Sequence, residues 1–197
     1  DSIYNPRVIL NGQDKKNSNV VVIILESFSK EYIGYYNNGS GYTPFLDSLM
    51  NESLVFSRAF ANGKRSIEAL PSIMASLPAL TDESYITSKF SSNKINSIAS
   101  TLSKQNYVTA FFHGGKNGTM GFDTFTKIAG FEKYYGMSEY PNKTDYDGNW
   151  GIYDEEYLQY FCNTISGFSE PFMASVFTLT SHHPYELPKK YEGKFPQ

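Results

Sequence analysis

The stretch that most restricts the fold is NVVVIILES, Asn19 to Ser27. From Val20 to Leu25 every side chain is apolar and all but the last are β-branched. With no polar alternation, the run predicts a strand buried on both faces of a parallel sheet. It stops abruptly on Glu26. In an open α/β sheet the carboxyl ends of the strands border the crevice where ligands bind. Glu26 is therefore a candidate oxygen ligand for a cation, or an acid–base group. The plainer alternative is an acid opening a helix, favoured by the helix dipole.

The rest of the chain alternates strand-like and helix-like segments. Thr43 as N-cap and Pro44 at the first helical position predict a helix with Phe45, Leu46, Leu49 and Met50 on one face. Leu54 to Ala61 reads as a short strand. From Ser66, Ile67, Leu70, Ile73, Met74 and Leu77 recur at helical spacing. Further helices are predicted at Ile95 to Gln105, around Phe122, Phe125 and Ile128, and over YDEEYLQYFCNTIS. Strands are predicted at YVTAFFHGG and at FMASVFTLT. The alternation predicts an α/β fold, a mostly parallel central sheet flanked by helices.

Three more sites collect where strands end or helices begin. Ser66 falls at a helix N-terminus, where the dipole favours an anion and lowers the cost of an alkoxide; an N-capping serine is the alternative. His113 follows a strand and opens into glycines, facing the crevice or serving as a structural hydrogen-bonding residue. His182 and His183 follow the late strand. Trp150, the single tryptophan, lies among Asp147, Asn149 and Asp154, as a packing anchor or as a wall for a polyol.

The bulk properties narrow the function. A net charge of -3 without any Lys/Arg-rich run argues against nucleic acid as a partner. Cys162 is the only cysteine, so no intrachain disulfide forms, and its apolar setting predicts a buried, inert thiol. No apolar run is long enough for a membrane span, and no signal-like start is present. Residues 1–18, with Pro6, Gly12 and a polar cluster, read as a linker or lead-in, and residues 19–197 as one domain.

Taken together, the strand ending in LES, the GKRSIEALPS turn and helix, and TLTSHHPYELP after a late strand resemble the sulfatase-like branch of the alkaline phosphatase superfamily. More narrowly, they are similar to the extracellular domains of lipoteichoic acid synthases and related phosphoglycerol transferases. FFHGGKNGTMGFDTF and NWGIYDEEYL support the likeness.

The resemblance implies a role for each position. Glu26 becomes a ligand of a divalent metal, Mn2+ first, with Mg2+ or Zn2+ as options. Ser66 becomes the hydroxyl nucleophile and a metal neighbour, and His182 a substrate contact. Trp150 and Asp147 become the cradle of a glycerol phosphate. It further implies a lipid- or glycan-linked phosphodiester substrate and an outward-facing domain of a membrane-anchored protein.

Two departures from the pattern matter. Ser66 is followed by IEALP without the C/S-x-P-x-R arrangement of true sulfatases, which disfavours sulfate ester hydrolysis. No Asp-His pair, which completes the metal site in the family, occurs in the sequence. The chain is therefore expected to be the N-terminal part of a catalytic domain, to hold half of a metal site and to be inactive alone. Phosphoethanolamine transfer, phosphodiester hydrolysis and non-catalytic glycan or polyol binding are the alternative functions.

Overall fold

The structure, a computed structural model, describes residues 17–194; the predicted lead-in lies outside it except for its last two residues. Four strands form one sheet, β1 (Val20–Ile24), β2 (Val108–His113), β3 (Lys133–Tyr135) and β4 (Phe172–Phe177). Their order is β1-β4-β2-β3, and every pairing is parallel. Parallel neighbours need crossovers, which here carry α1 (Pro44–Asn51), α2 (Ser66–Ala75), α3 (Ile98–Ser103), α4 (Phe122–Ile128) and α5 (Asp154–Ile165).

Side-chain alternation splits the core into two layers. Phe111, Met173 and Phe177 point to the side where Leu70 and Met74 of α2, Ala99 of α3, and Phe122 and Phe125 of α4 pack. Ala110, Phe112, Ala174 and Val176 point to the other side, against Tyr157 and Phe161 of α5. Phe112 stacks on Tyr135 at 4.4 Å and meets Phe161 edge-on at 4.8 Å. Each such buried ring contributes roughly 2–3 kcal/mol by removal of apolar surface from water.

The neighbouring strands β4 and β1 fare differently. All of β4 is buried, because β1 and β2 flank it and helices cover both faces. In contrast to the expectation, β1 is an edge strand with one face open. Val20, Val22 and Ile24 pack inward, while Val21 is 45% and Ile23 56% exposed. Asn19 pins the start of β1 to β4, accepting from the Phe172 amide at 3.0 Å and donating to Glu170 at 2.6 Å.

Several local expectations are corrected, by missing packing partners or by local hydrogen bonds. Helix α1 starts at Pro44 as predicted but buries none of its residues, and Phe45 is 81% exposed. Thr43 does not cap it; its hydroxyl donates to Asp47 at 2.8 Å and accepts from the Gly34 amide. Residues 54–61 form no strand, and Leu54, Phe56 and Phe60 face outward. Cys162 lies on the outer face of α5 and is exposed. Helix α3 begins three residues later than predicted because Ser97 and Ser100 form a reciprocal capping box. Among the described residues no helix is long and apolar enough to cross a membrane.

Candidate active site

The sheet order places the carboxyl ends of β1, β4 and β2 side by side, with Ile24, Phe177 and His113 in register. Just beyond β1, Ser27 adopts a left-handed backbone (φ 49°), which turns the chain sharply after Glu26. Strain of this kind costs of order 1–3 kcal/mol and persists where surrounding bonds fix it. Those bonds are present: the Glu26 amide donates to Thr178 Oγ1 at 2.9 Å, and its Oε1 accepts from Ser27 Oγ at 2.9 Å.

Ser66, from a segment forty residues further along, meets this carboxylate. It is the first residue of α2, and its Oγ donates to Glu26 Oε2 at 2.6 Å. The hydroxyl therefore does not serve as an N-cap. The preceding loop is fixed by Glu68, whose Oε2 accepts from the amides of Lys64 at 2.8 Å and Arg65 at 3.2 Å. Glu68 also forms an ion pair with Arg65, which together with the Lys64 amide holds its carboxyl below the usual range. Gly63 allows this close approach, since a Cβ there would lie 2.6 Å from the Glu68 Cβ.

A carboxylate and a hydroxyl at this distance have the chemistry of hard oxygen donors for a divalent ion. The fit is partial. Among the described residues no group of three or more His, Cys, Asp or Glu side chains could hold a metal. Glu26 and Ser66 together offer oxygen donors for at most one side of a coordination shell.

The second cluster lies after β4. The His182 amide donates to Leu179 O at 2.8 Å, closing a turn, and the imidazole packs on Trp150 with ring centroids 4.0 Å apart. Trp150 Nε1 donates to His183 O at 2.7 Å, and His182 Nδ1 lies 2.8 Å from the same carbonyl. A carbonyl only accepts, so Nδ1 carries a proton and Nε2 is left for a ligand.

Asp147, expected in the cradle beside Trp150, is engaged by its own loop. Its Oδ1 accepts from the amides of Asn149, Trp150 and Gly151 at 2.8, 2.8 and 3.1 Å. Asp147 thus shapes the loop that presents Trp150. Gly151 is required there, because a Cβ would come within 2.5 Å of Gly114 O.

Of the two readings of His113, the crevice-facing substrate contact is corrected and the structural one agrees with its place. His113 is fully buried under the crevice, between the rings of Phe122 and Phe177, and offers no surface to a substrate. Desolvation holds its pKa down at about 4, against smaller opposing effects of Phe177 O and the Glu26 charge, so the ring is neutral near pH 7. Sequence reasoning missed Thr178, which ties Glu26 to β4, and Asp154, which it read only as a loop-flanking acid at the start of a helix. The contacts of both lie far away in sequence.

Comparison with known proteins agrees with this geometry. The Sulfatase family profile matches residues 18–197. Lipoteichoic acid synthase 1 of Bacillus subtilis (strain 168) is 29% identical over 182 residues, which cover 89% of this chain and 28% of that protein. A protein in the alkaline phosphatase superfamily from Vibrio parahaemolyticus superposes with a TM-score of 0.80 at 30% identity, covering 92% of this chain and 44% of the other. The lipoteichoic acid synthase LtaP from Listeria monocytogenes shares the fold with a TM-score of 0.77 at 24% identity, over 89% of this chain and 43% of its own. This chain thus spans less than half of the proteins it matches. With the family profile matched along nearly its whole length and a superfamily fold around the Glu26–Ser66 pair, the chain belongs to the sulfatase family of the alkaline phosphatase superfamily.

Proposed function

We propose that the protein carrying this chain is a divalent-metal-dependent phosphoglycerol transferase, or a transferase of a closely related phosphodiester head group, with Ser66 as its nucleophile. The observation that carries the reading is the 2.6 Å hydrogen bond from Ser66 Oγ to Glu26 Oε2 at the carboxyl edge of the sheet. The similarity to lipoteichoic acid synthase 1 supports the head group.

Glu26 and Ser66 would hold the metal, Mn2+ first, on one side. When bound, such an ion neutralises charge on phosphoryl oxygens and lowers the pKa of a coordinated hydroxyl. The chain's own residues account for the rest. Glu26 accepts the Ser66 proton, and Oγ attacks phosphorus. The bond from phosphorus to the lipid oxygen breaks, leaving the glycerol phosphate on Ser66. His182, with its Nε2 protonated for this step, donates a proton to the departing alkoxide. The acceptor hydroxyl then gives its proton to His182 Nε2 and attacks phosphorus, the bond from phosphorus to Oγ breaks, and Ser66 recovers its proton from Glu26. Trp150 holds the imidazole in place, and its aromatic face suits a polyol.

The test uses the full-length protein with Mn2+ and phosphatidylglycerol labelled in its head group. Transfer is expected to be lost in Ser66→Ala, and mass spectrometry of the wild type quenched in turnover is expected to find glycerol phosphate on Ser66. Undiminished transfer by Ser66→Ala would overturn Ser66 as the nucleophile, and absence of transfer by the wild type would favour a binding protein.

A further inference from the structure

We infer that Asp154 is a positioning residue for His182, fixing the chain that leaves β4 so that the imidazole settles on Trp150. The inference rests on the transferase reading only for the role of His182. An acid in the first turn of a helix ordinarily turns to its own helix's amides or simply faces the dipole. Asp154 does otherwise. Its Oδ1 accepts from the Leu179 amide at 2.7 Å and its Oδ2 from the Thr180 amide at 2.9 Å. Its own amide donates to Thr180 Oγ1 at 2.8 Å. Three bonds therefore join one residue of α5 to two consecutive residues of the segment after β4.

The clamp sits on rigid supports. Tyr157 and Phe161 anchor α5 in the core, and Leu179 is itself buried. The charge of Asp154 is not matched by any described cation, and burial raises its carboxyl above the usual range despite the hydrogen bonds from the two amides and the Thr180 side chain. A desolvated carboxylate held only by two amides and the Thr180 hydroxyl, with no cation beside it, is costly for a fold to bury.

The geometry leads directly to the histidine. Leu179 O accepts from the His182 amide at 2.8 Å, so fixing Leu179 fixes the turn that carries the ring. On the opposite side Thr178 N donates to Ile24 O at 3.0 Å and Thr178 Oγ1 accepts from Glu26 N. Residues 178–180 thereby connect the Glu26–Ser66 pair on one side to Asp154 on the other. The separation between nucleophile and histidine is set through this short segment.

The experiment is a double-mutant cycle in the full-length protein with Mn2+ and labelled phosphatidylglycerol. Asp154→Ala is expected to lower kcat by ~10- to 100-fold, with KM changing much less, as a misplacement of about 1 Å does. Asp154→Asn, which keeps one accepting oxygen and the shape, is expected to fall between wild type and Asp154→Ala. In a His182→Ala background, Asp154→Ala is expected to cost less than about twofold, because the group it positions is gone. Equal losses in both backgrounds would mean general damage to the fold and would overturn the inference, as would wild-type kcat in Asp154→Ala. Imidazole 15N NMR of His182 provides a readout independent of turnover. Asp154→Asn is expected to weaken the Nδ1-protonated signature, and an unchanged spectrum would count against the inference. No transfer by the wild type, with the expected change of the His182 spectrum in Asp154→Asn, would overturn the transferase reading alone.

Discussion

β4 and β1 are neighbours in one sheet, yet their environments are opposite. FMASVF in β4 contains a serine and is buried at every position, while the more apolar VVVII of β1 has every second side chain open to solvent. Hydrophobicity gives a strand the capacity to be buried; its place in the sheet decides whether the capacity is used. The same contrast runs through the candidate site. His182 hangs from the central strand through Leu179 and Asp154, whereas Glu26 hangs from the edge strand and depends on Thr178 for its connection to the centre.

Substitutions at the two regions sharpen this contrast. Phe112→Ala at the centre is expected to cost about 3–5 kcal/mol in denaturant unfolding, as large-to-small changes of well-packed aromatics do. A loss near 1 kcal/mol would mean that the centre is less tightly packed than its ring contacts indicate.

The pH dependence tests the centre next. The distance of the His113 pKa from the ordinary 6.5 to about 4 corresponds to about 3 kcal/mol. A depressed histidine contributes fully above its unfolded pKa, and the contribution is lost as pH falls through the folded one. Stability is therefore expected to decline between about pH 6.5 and pH 4 through this group, and His113→Gln to lose that part of the slope. Unfolding titrations of the two proteins across this range measure the difference.

A smaller effect is expected in the loop that joins the two regions. Asp147→Ala strands three amides and should cost about 1–2 kcal/mol, with a change in the near-ultraviolet circular dichroism of Trp150. At the open edge, Ile23→Ser and Phe60→Ala in the 197-residue chain are expected to stay within about 0.5 kcal/mol of wild type in thermal melting. A distinctly larger cost in a longer form of the protein would show that the edge is covered there.

Much of the secondary structure was legible locally. Pro44 at a helix start, the 3.6-residue spacing after Ser66 and the apolar runs at β2 and β4 all draw on residues within one or two turns of each other, so the sequence pattern carries them. The three-residue strand β3 was not legible, being too short for any periodicity. Exposure of Cys162 and Phe45 was not legible either, since it depends on which helix face finds a packing partner, nor was that of Phe60, whose irregular segment finds none.

The sequence by itself determined the α/β alternation, the acid at the end of the first strand and the serine at the start of α2. Only the tertiary structure decided that these two meet, that His113 lies beneath the crevice, that Asp147 shapes a loop, and that Asp154 holds the segment before His182. The physical reason is range. Local propensity and periodicity act between near neighbours, whereas Glu26 with Ser66 and Asp154 with Leu179 are joined by strand order and helix packing, across separations at which sequence carries no pairing signal.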